Sequence, residues 1–575
     1  MFEMTYVAGP RGLPDGTLLR LAFAKAFSLP QTSDRHGPGW IKATETPGRL
    51  ELASIGQSIE SHERVDVIYR LPDGLPSCGR LAFRYRTDFV YLFPSRWAQM
   101  ERRYWWDPLP PMALAVAVDE RHVFVPPLEE NGHALEVMAG PPERLHLFLP
   151  GRVREGSSTR LTGVFTDRYR NAPSPGPLPS PIHLRLCGED NRDLGSADGH
   201  FDRWYRFALP LPALRPGVYR AQACDSRTGA VLAESNPMEM MRRGDSRSPI
   251  FWGEIHAHSE QSDGSGRFEH IYLHGRDEGA LDFAAGADHA CYFTDNEWTW
   301  MQDITNSFND EPRFVTLVGY EWAGEQGHRN VYTSRDRLDL FRGMDTSSHR
   351  LNVVYDHFAG RDDVVAGPHV HHVGKDFFAH HNPDVQRFFE IYSMWGNYER
   401  LVFQALNGGA VIGVTGGGDC HEARAGFSVE DPAGQGQTPH TFAPGLRWKC
   451  GMTAALLPEL TRQALLRALR ERQTYATSGA RILVDFEVSR VPMGGTGETS
   501  GAPRVSALVH GVSRIGRVDV IRNGEVVHSA PGQGADLLLS WSDGSAPRGP
   551  HWYMLRIVQQ DDEIAWTSPL WLTVR

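Results

Sequence analysis

The chain has 575 residues, of which 41% are hydrophobic and 22% are charged. These values are those of ordinary globular proteins, and at about 150 residues per domain the length predicts three or four domains. A formal net charge of −11 argues against binding to long nucleic acid or to an anionic membrane, because both require a dense cationic surface. Disordered, fibrous and broadly nucleic-acid-binding classes are thereby excluded.

The N-terminal residues and the cysteines indicate a compartment. The opening MFEMTYVAGPRGLPDG lacks the basic start and apolar stretch of a secretion signal, and no eighteen apolar residues follow one another anywhere in the chain. The six cysteines are widely spaced and form no CxxC pair, which is typical of reduced thiols. We therefore expect a soluble cytoplasmic protein.

The first 248 residues consist of short β-like runs broken by proline and glycine, such as LHLFLPG and STRLTGVFTD before the loop NAPSPGPLPSP. This pattern predicts an N-terminal β-rich module over residues 1–140 and a β-sandwich-like module over residues 141–248. The pattern returns after residue 480, where Asn523-Gly524 is a strong hairpin turn between alternating strands. Residues 481–575 are predicted to form a C-terminal β-sandwich.

The middle of the chain, residues 249–480, has a different pattern. Apolar runs alternate with helical stretches, as in PIFWGEIH, LDFAAGADH, RFVTLVGYE and AVIGVTGGGD. Near-continuous apolar strands separated by helices are typical of a parallel sheet covered on both faces. We predict a central distorted α/β barrel, TIM-like and about seven-stranded, between the β-rich flanks. Two helices are predicted, one over Asn397 to Leu406 and one that follows the capping residue Thr461.

Histidine marks the site region, since 14 of the 25 histidines lie between His256 and His421. Polar residues directly follow five successive apolar runs, at the strand ends where barrel enzymes build their active sites. These residues are His256 and His258, Asp288 and His289, Glu321, His369, and Asp419 and His421. Because buried charge is costly unless it is paired or bound to metal, the pattern predicts a metal centre.

The pair His256 and His258 alternates on an extended chain, so both imidazoles point to one side and can hold one ion. An isolated HxH triplet is a weak signal, and its weight comes from the other strand ends. Imidazole together with carboxylate accepts zinc, manganese or iron.

The same segments resemble the polymerase and histidinol phosphatase (PHP) superfamily of metallohydrolases, and within it the group called domain of unknown function 3604. The resemblance lies in FWGEIHAHSEQSDGSG, LDFAAGADH, FVTLVGYEW followed by GHRNVY, and GVTGGGDCHEARAG, and then in GMTAALLPELTRQALLRALRERQTYATSGARI. It extends to the flanks through VAGPRGLPDGTLLRLAF and AESNPMEM. The resemblance implies a PHP barrel that binds two or three divalent metal ions.

The resemblance also implies which residues bind each ion. The first ion would be held by His256, His258, Glu321 and Asp419. Glu321 would bridge to a second ion bound by His328 and His369, and the third ion would be held by Asp263, His289 and His421. His371, His372, His380 and His381 stay open as alternatives to His369, and Asp263 stands where many PHP proteins carry histidine.

Three cationic residues lie close to the predicted ligands in sequence. Arg424, Arg329 and Lys375 can clamp a phosphate or carboxylate, or can form salt bridges with neighbouring carboxylates. Arg424 is the preferred anion contact, and Arg329 is the second.

Other residues near the ligands also have two interpretations. The tryptophans can line a substrate pocket or pack the loops, and they are Trp298, Trp300, Trp322 and Trp395. Gly416 to Gly418 can expose N–H groups to an anion or let the chain turn beside the metals. Cys420 should point away from its neighbours on an extended chain, so we expect a structural role.

These features predict a metal-dependent hydrolase, and a phosphoesterase acting on a small organic phosphate through a metal-activated water is favoured. The chain has no GxSxG elbow and no obvious Cys-His pair, so no protein nucleophile is expected. Two alternatives stay open: hydrolysis of a C–N or carboxylic ester bond at the same metals, and a non-catalytic, metal-stabilised binding protein. The expected partner is a small-molecule substrate, with neither long nucleic acid nor membrane, and a mononucleotide is allowed.

Overall fold

The computed structural model describes residues 2–24, 30–36, 39–57, 64–86, 112–117, 139–167, 171–264, 266–324, 327–343, 350–369, 380–426 and 449–575. The chain divides into two compact units, and the division lies between Ala139 and Gly140. All six cysteines are free. Among the described residues, no helix has the length and apolar character needed to cross a membrane.

The first unit is built from two antiparallel sheets. Its strands are β1 (Phe2–Val7), β2 (Thr17–Ala24), β3 (Ile41–Glu45), β4 (Glu51–Gln57), β5 (Arg64–Leu71), β6 (Arg80–Tyr85) and β7 (Met112–Ala117). One sheet has the order β1-β6-β3 and the other β4-β5-β2-β7. Alternate residues of β2, namely Leu19, Leu21 and Phe23, are buried against Val67 and Phe83, as expected for a strand with one face on a core.

The second unit begins with strands that pair mainly as antiparallel neighbours. They are β8 (Arg144–Phe148), β9 (Arg152–Arg154), β10 (Arg160–Thr166), β11 (Ile182–Gly188), β12 (Arg192–Ser196), β13 (Arg206–Pro210), β14 (Gly217–Asp225), β15 (Val231–Glu234) and β16 (Met238–Met241). The order β13-β10-β8 forms one sheet, and Leu161, Leu184 and Tyr219 belong to the core beneath it.

The strands and helices that carry the predicted ligands come next. The strands are β17 (Ile250–Ala257), β18 (Phe283–Gly286), β19 (Val315–Thr316), β20 (Val318–Gly324), β21 (Gly327–Thr333), β22 (Val364–His369), β23 (Phe388–Ser393), β24 (Gly396–Asn397), β25 (Gly413–Gly416), β26 (Met452–Leu456) and β27 (Thr474–Thr477). The helices are α1 (Phe268–Asp277), α2 (Asp295–Ser307), α3 (Leu351–Phe358), α4 (Glu399–Asn407) and α5 (Arg462–Glu471).

The prediction of a central TIM-like α/β barrel is wrong. The described residues contain 37 strands but only five helices, and these strands do not close into a barrel. β17 pairs in parallel with β18 but antiparallel with β26, and β20, β21 and β22 form a separate antiparallel sheet. β23 pairs in parallel with β25 in a third sheet. Apolar runs report burial on both faces, but they do not report the direction in which strands pair.

The predicted helices are confirmed. α4 spans Glu399–Asn407 and ends at Gly408. α5 begins after Thr461, whose side chain accepts a hydrogen bond from the backbone N–H of Ala464, so this N-cap satisfies a donor that the helix leaves free.

The C-terminal strands belong to two sheets around a shared core. They are β28 (Leu483–Val488), β29 (Val491–Pro492), β30 (Thr496–Thr499), β31 (Arg504–His510), β32 (Ile515–Arg522), β33 (Glu525–Pro531), β34 (Asp536–Ser542), β35 (Gly549–Gln559), β36 (Ile564–Thr567) and β37 (Leu570–Val574). One is the four-stranded sheet β29-β28-β31-β34, and the other is a 17-stranded sheet that also contains β17, β26 and β27. Val484 and Phe486 of one sheet share the core with Val518 and Leu555 of the other. The predicted hairpin between β32 and β33 is confirmed, while the domain boundaries at residues 248 and 480 stay predictions.

Candidate metal centre

Two backbone segments bring the first ligands together. His256 and His258 lie at the end of β17 and are fully buried. The N–H of His258 donates to the carbonyl of Cys420 at 2.8 Å, and the N–H of Asp419 donates to the carbonyl of His256 at 2.7 Å. Residues 256–258 therefore run beside residues 419–421. Asp419 has a φ of 49°, a left-handed conformation that aspartate tolerates better than most residues.

Four further ligands come from neighbouring backbone segments. Glu321 lies in β20, where its N–H donates to the carbonyl of Asp288 at 3.0 Å and its own carbonyl accepts from Ala290 at 2.9 Å. This pairing sets His289 beside Glu321. In the β20–β21 hairpin His328 lies opposite Ala323, and in the next pairing it lies opposite His369 of β22. The backbone ladders alone therefore bring these histidines to the Glu321 carboxylate.

The first group of donor atoms consists of His256, His258, Glu321 and Asp419. Glu321 Oε2 lies 3.0 Å from His256 Nε2 and 3.2 Å from His258 Nε2. Asp419 Oδ1 lies 3.4 Å and 3.2 Å from the same two nitrogens, which are 3.3 Å apart. Around one tetrahedral ion with bonds of about 2.0–2.1 Å, neighbouring donors lie about 3.3–3.4 Å apart. The measured separations of this first group fit that requirement.

The remaining ligands form two groups around shared residues. Asp263 Oδ2 lies 3.4 Å from His289 Nε2, and its Oδ1 lies 3.5 Å from His421 Nε2. On the other side, Glu321 Oε1 lies 3.2 Å from His289 Nδ1 and 2.5 Å from His328 Nδ1. The two nitrogens of His289 thus face different groups.

His369 contributes from one side. Its Nε2 lies 3.4 Å from Glu321 Oε1 and 3.9 Å from Asp419 Oδ2. The group around Glu321 Oε1 with the closest donors contains His289 and His328. The structure therefore brings all nine predicted ligands together, with His289 nearer to the second predicted ion than the sequence implied.

Buried atoms in this cluster provide a second test of fit to metal. Glu321 Oε1, His289 Nδ1 and Asp419 Oδ2 are buried, and no described neighbour makes a hydrogen bond of normal geometry with them, although Glu321 Oε1 lies 3.2 Å from His289 Nδ1. Buried polar atoms are nearly always hydrogen-bonded in native proteins, because leaving them unpaired is costly. Ions bound between these donors would remove that cost, and the mixed imidazole and carboxylate set suits zinc, manganese or iron.

The charges of the cluster depend on one another. Burial opposes ionisation, but the surrounding imidazoles keep the pKa of Glu321 and the pKa of Asp419 well below their ordinary values. Burial likewise opposes protonation of the histidines, yet nearby carboxylates raise the pKa of His258 and of His421 to about 9. Burial lowers the pKa of His369 to about 3, which leaves that imidazole neutral. Without metal, protons therefore balance the carboxylates.

These shifts predict how pH changes the stability of the metal-free protein. The pKa of His258 and of His421 rises from 6.5 to about 9 on folding, so the folded state binds these protons more tightly. The resulting stabilisation is complete below about pH 6.5 and is lost as pH rises through about 9. We expect the midpoint of thermal unfolding of chelator-treated protein to fall over this range, while zinc affinity rises because fewer protons compete. A midpoint that rises over this range would contradict the prediction.

The predicted anion contacts have other partners in the structure. Arg329 is buried on β21, where its Nε donates to Tyr355 Oη at 3.2 Å and its Nη1 donates to the carbonyl of His328 at 2.9 Å. Arg424 is also buried, and its Nε lies 3.3 Å from His274 Nε2. Their role in anion binding stays a prediction, and Lys375 lies outside the described residues.

The four tryptophans divide between core and surface. Trp298 and Trp322 are buried, and Trp298 Nε1 donates to the carbonyl of Leu338 at 2.9 Å. Trp300 is exposed. Trp395 lies beside the predicted metal ligands. Its ring is 5.7 Å from the ring of His421, and its Nε1 donates to the carbonyl of Asp419 at 3.1 Å.

The alternatives to His369 are placed only in part. His380 is exposed and His381 is half-buried, and neither belongs to the groups of close donor atoms among the described residues. His371 and His372 lie outside the described residues. His369 is therefore the described member of this set that reaches the Glu321 carboxylate.

The glycine run Gly416–Gly418 packs against two carboxylates. A Cβ atom on Gly417 would lie 1.9 Å from Glu390 Oε2, and one on Gly418 would lie 1.9 Å from Glu254 Oε1. Glycine is therefore required for close approach. Cys420 points to Glu254, with its Sγ 3.7 Å from Glu254 Oε1, and Cys450 lies beside both.

Three further acidic residues lie near the ligands, and only Asp288 among them belongs to the strand-end residues singled out from the sequence. Asp288 accepts hydrogen bonds from the backbone N–H and the hydroxyl of Ser259, both at 2.8 Å, and fixes the turn after His258. Glu254 and Glu390 lie behind the ligands. Glu254 and Glu390 are acidic residues within the buried strands IFWGEIHA and FFEIYS, and a charge among buried residues was the available signal.

Comparison with known proteins gives relatives but no function. No family model matches the chain. An uncharacterized protein from Chlamydia pneumoniae is 26% identical over 507 residues, which cover 78% of this chain and 78% of that protein. An uncharacterized protein from Chlamydia trachomatis is 25% identical over 476 residues, which cover 75% of this chain and 74% of that protein.

Solved structures resemble the chain only remotely. Fibronectin(III)-like modules of Clostridium thermocellum CbhA are 22% identical with a TM-score of 0.12. The match covers 16% of this chain and 96% of the chain of the modules. A Bacteroides uniformis beta-glucuronidase is 9% identical with a TM-score of 0.14, over 100% of this chain and 73% of that chain. Such low TM-scores support no assignment of fold or function.

Proposed function

We propose that this protein is a metal-dependent hydrolase with two or three divalent ions bound among the nine clustered side chains. The observation that carries the proposal is the first group, in which five separations between donor atoms span 3.0–3.4 Å. These separations are close to the value of about 3.3–3.4 Å that one tetrahedral ion requires. Resemblance to PHP metallohydrolases supports the same conclusion, and membership of that superfamily is part of the proposal.

The residues that would hold the ions follow from the measured groups. The first ion would lie among His256, His258, Glu321 and Asp419, the second among Glu321, His328, His289 and His369, and the third among Asp263, His289 and His421. When bound, such ions supply a nucleophilic water at neutral pH and stabilise a departing oxyanion.

The exposed side of the cluster is where a substrate would enter. The side chain of Asp263 is 30% exposed and that of His289 is 12% exposed, whereas His256 and His258 form a closed floor. Tyr292 is 58% exposed, and its ring lies 6.0 Å from the ring of His289. Tyr292 therefore gives this side an exposed aromatic ring that a small organic molecule can contact.

Phosphoester hydrolysis is the favoured reaction. Several closely spaced cations match the charge that spreads over phosphoryl oxygens in the transition state, and the buried histidine floor leaves water access mainly from the exposed side. An ion-stabilised binding protein would gain nothing from partly exposed ligands, since structural sites are usually closed. Cytoplasmic location is also part of the proposal, and the six free cysteines support it.

The proposal predicts that protein loaded with manganese or zinc hydrolyses at least one compound in a panel of phosphomonoesters and phosphodiesters. His256→Ala is expected to reduce turnover by more than about 100-fold, because even residues behind metal ligands commonly contribute 10–100-fold. His357→Ala is the matched control, since His357 is a partly exposed histidine that pairs with Asp339. Amides and lactones are assayed in parallel. Turnover of these alone would favour C–N or carboxylic ester cleavage, and no turnover of any class would contradict the proposal.

A further inference from the structure

Glu390 is a buried carboxylate outside the nine clustered ligands. It is the charged member of the buried strand β23 and is only 1% exposed. Its Oε1 and Oε2 lie 3.0 Å and 2.9 Å from His256 Nδ1. A buried carboxylate is costly unless a partner compensates it, and this imidazole is the partner.

Because of this contact, the two ring nitrogens of His256 have different partners. Nδ1 faces Glu390, while Nε2 faces Glu321 Oε2 at 3.0 Å and Asp419 Oδ1 at 3.4 Å. A proton on Nδ1 that is donated to Glu390 leaves the lone pair of Nε2 directed into the first group. Carboxylates behind metal-binding imidazoles fix the tautomer and the ring orientation in this way.

The backbone leaves room for this contact. β23 pairs in parallel with β25, and the N–H of Gly417 donates to the carbonyl of Tyr392 at 3.0 Å. Gly417 thus lies against both partners, because its Cβ would be 1.9 Å from Glu390 Oε2 and 3.0 Å from the Cβ of His256. A larger residue would push the carboxylate away from the imidazole.

We propose that Glu390 is a positioning residue that holds His256 in the orientation and tautomer needed to bind the ion of the first group. This inference rests on the proposed metal centre. It concerns a residue that does not itself reach the ion, so the effect on ion binding must pass through His256.

The test compares Glu390→Gln with wild type in metal-binding titrations with Zn²⁺ and in absorption spectra of Co²⁺-loaded protein. Glutamine keeps the size of the side chain but removes the charge. We expect the affinity for one ion to fall about 10–100-fold and the Co²⁺ ligand-field bands to shift. Glu390→Asp withdraws the charge by one methylene and serves as a second variant, with a weaker affinity also expected.

Asp543→Asn is the matched control, because Asp543 is equally buried but lies outside the cluster, where it accepts hydrogen bonds from Arg522 and Tyr553. Its metal affinity is expected to stay at the wild-type value. In a His256→Ala background, Glu390→Gln should cause no further loss, since the two residues act as one unit.

The outcomes separate this inference from the proposed function. If wild type binds ions and Glu390→Gln binds them equally well, the positioning role is wrong and the metal centre stands. Equal losses in Glu390→Gln and Asp543→Asn would also overturn it, because the effect would then be a general loss of stability. If wild-type protein binds no ion, the proposed function itself fails.

Discussion

Glu321→Gln is expected to remove the ions of the first and second groups together. Glu321 Oε2 faces His256 and His258 at 3.0 and 3.2 Å. Glu321 Oε1 faces His289 at 3.2 Å and His328 at 2.5 Å. Glutamine keeps the shape of the side chain, but its NH₂ group cannot bind a cation and its negative charge is lost. Asp419 also faces two groups, but its Oδ2 lies 3.9 Å from His369 Nε2, so Glu321 makes the closer contacts to both groups.

Elemental analysis after equilibrium dialysis measures this effect. Wild type should retain two or three ions per chain, whereas Glu321→Gln should retain at most one and lose more than about 100-fold in any hydrolytic rate. Glu525→Gln, at an exposed position of β33, is the matched control and should behave as wild type. An unchanged metal content in Glu321→Gln would mean that the carboxylate does not bridge two groups.

Gly417→Ala is expected to weaken the first group without replacing any of its ligands. The added Cβ would lie 1.9 Å from Glu390 Oε2, so the Glu390 carboxylate must move away from Gly417. The expected cost in the free energy of unfolding is about 1–3 kcal/mol, as for other overpacked sites. Metal affinity should fall as well, because the displaced carboxylate no longer holds His256.

Thermal unfolding with and without Zn²⁺ measures both parts of this prediction. Gly501→Ala is the control, since a Cβ there meets nothing within 4 Å. Wild type should be stabilised by Zn²⁺ more strongly than Gly417→Ala, because stabilisation by a ligand grows with its affinity. Equal stabilisation of the two proteins would show that the close packing at Gly417 has no part in ion binding.

The local chemistry of the site could be predicted from sequence because it is written in short segments. HAH, DH and DCH each follow an apolar run, and a polar residue at the end of a buried strand needs a partner or an ion. All nine predicted ligands meet in one cluster. The assignment of ligands to individual ions could not be predicted as well. Whether His289 or His369 lies closer to the second ion depends on ring orientation rather than on sequence spacing.

The fold could not be predicted in the same way. The apolar run RFVTLVGYE predicts a strand of a parallel barrel, but β20, which contains the end of this run, is separated from β21 by only two residues. A connection that short can join antiparallel strands only, because parallel strands need a crossover of a dozen or more residues. The short connection between β20 and β21 is visible in the sequence, but the apolar composition of the runs favours a parallel sheet instead.

Partners of long sequence separation were also inaccessible. Glu390 lies 134 residues from His256, and nothing in FFEIYS indicates which imidazole it contacts. The glycine run predicts a turn or an anion site from sequence. In the structure, Gly417 and Gly418 pack closely against the carboxylates of Glu390 and Glu254. Such contacts depend on which strands become neighbours, and that was the part of the fold that apolar patterning left open.

The most direct test of the metal centre is anomalous X-ray scattering from crystals of the zinc-loaded protein, recorded on both sides of the zinc absorption edge. We expect a zinc peak within about 2.0–2.2 Å of His256 Nε2, His258 Nε2 and a carboxylate oxygen of Asp419, with at least one further peak beside Glu321. Crystals that contain zinc but show no peak at these donors would contradict it.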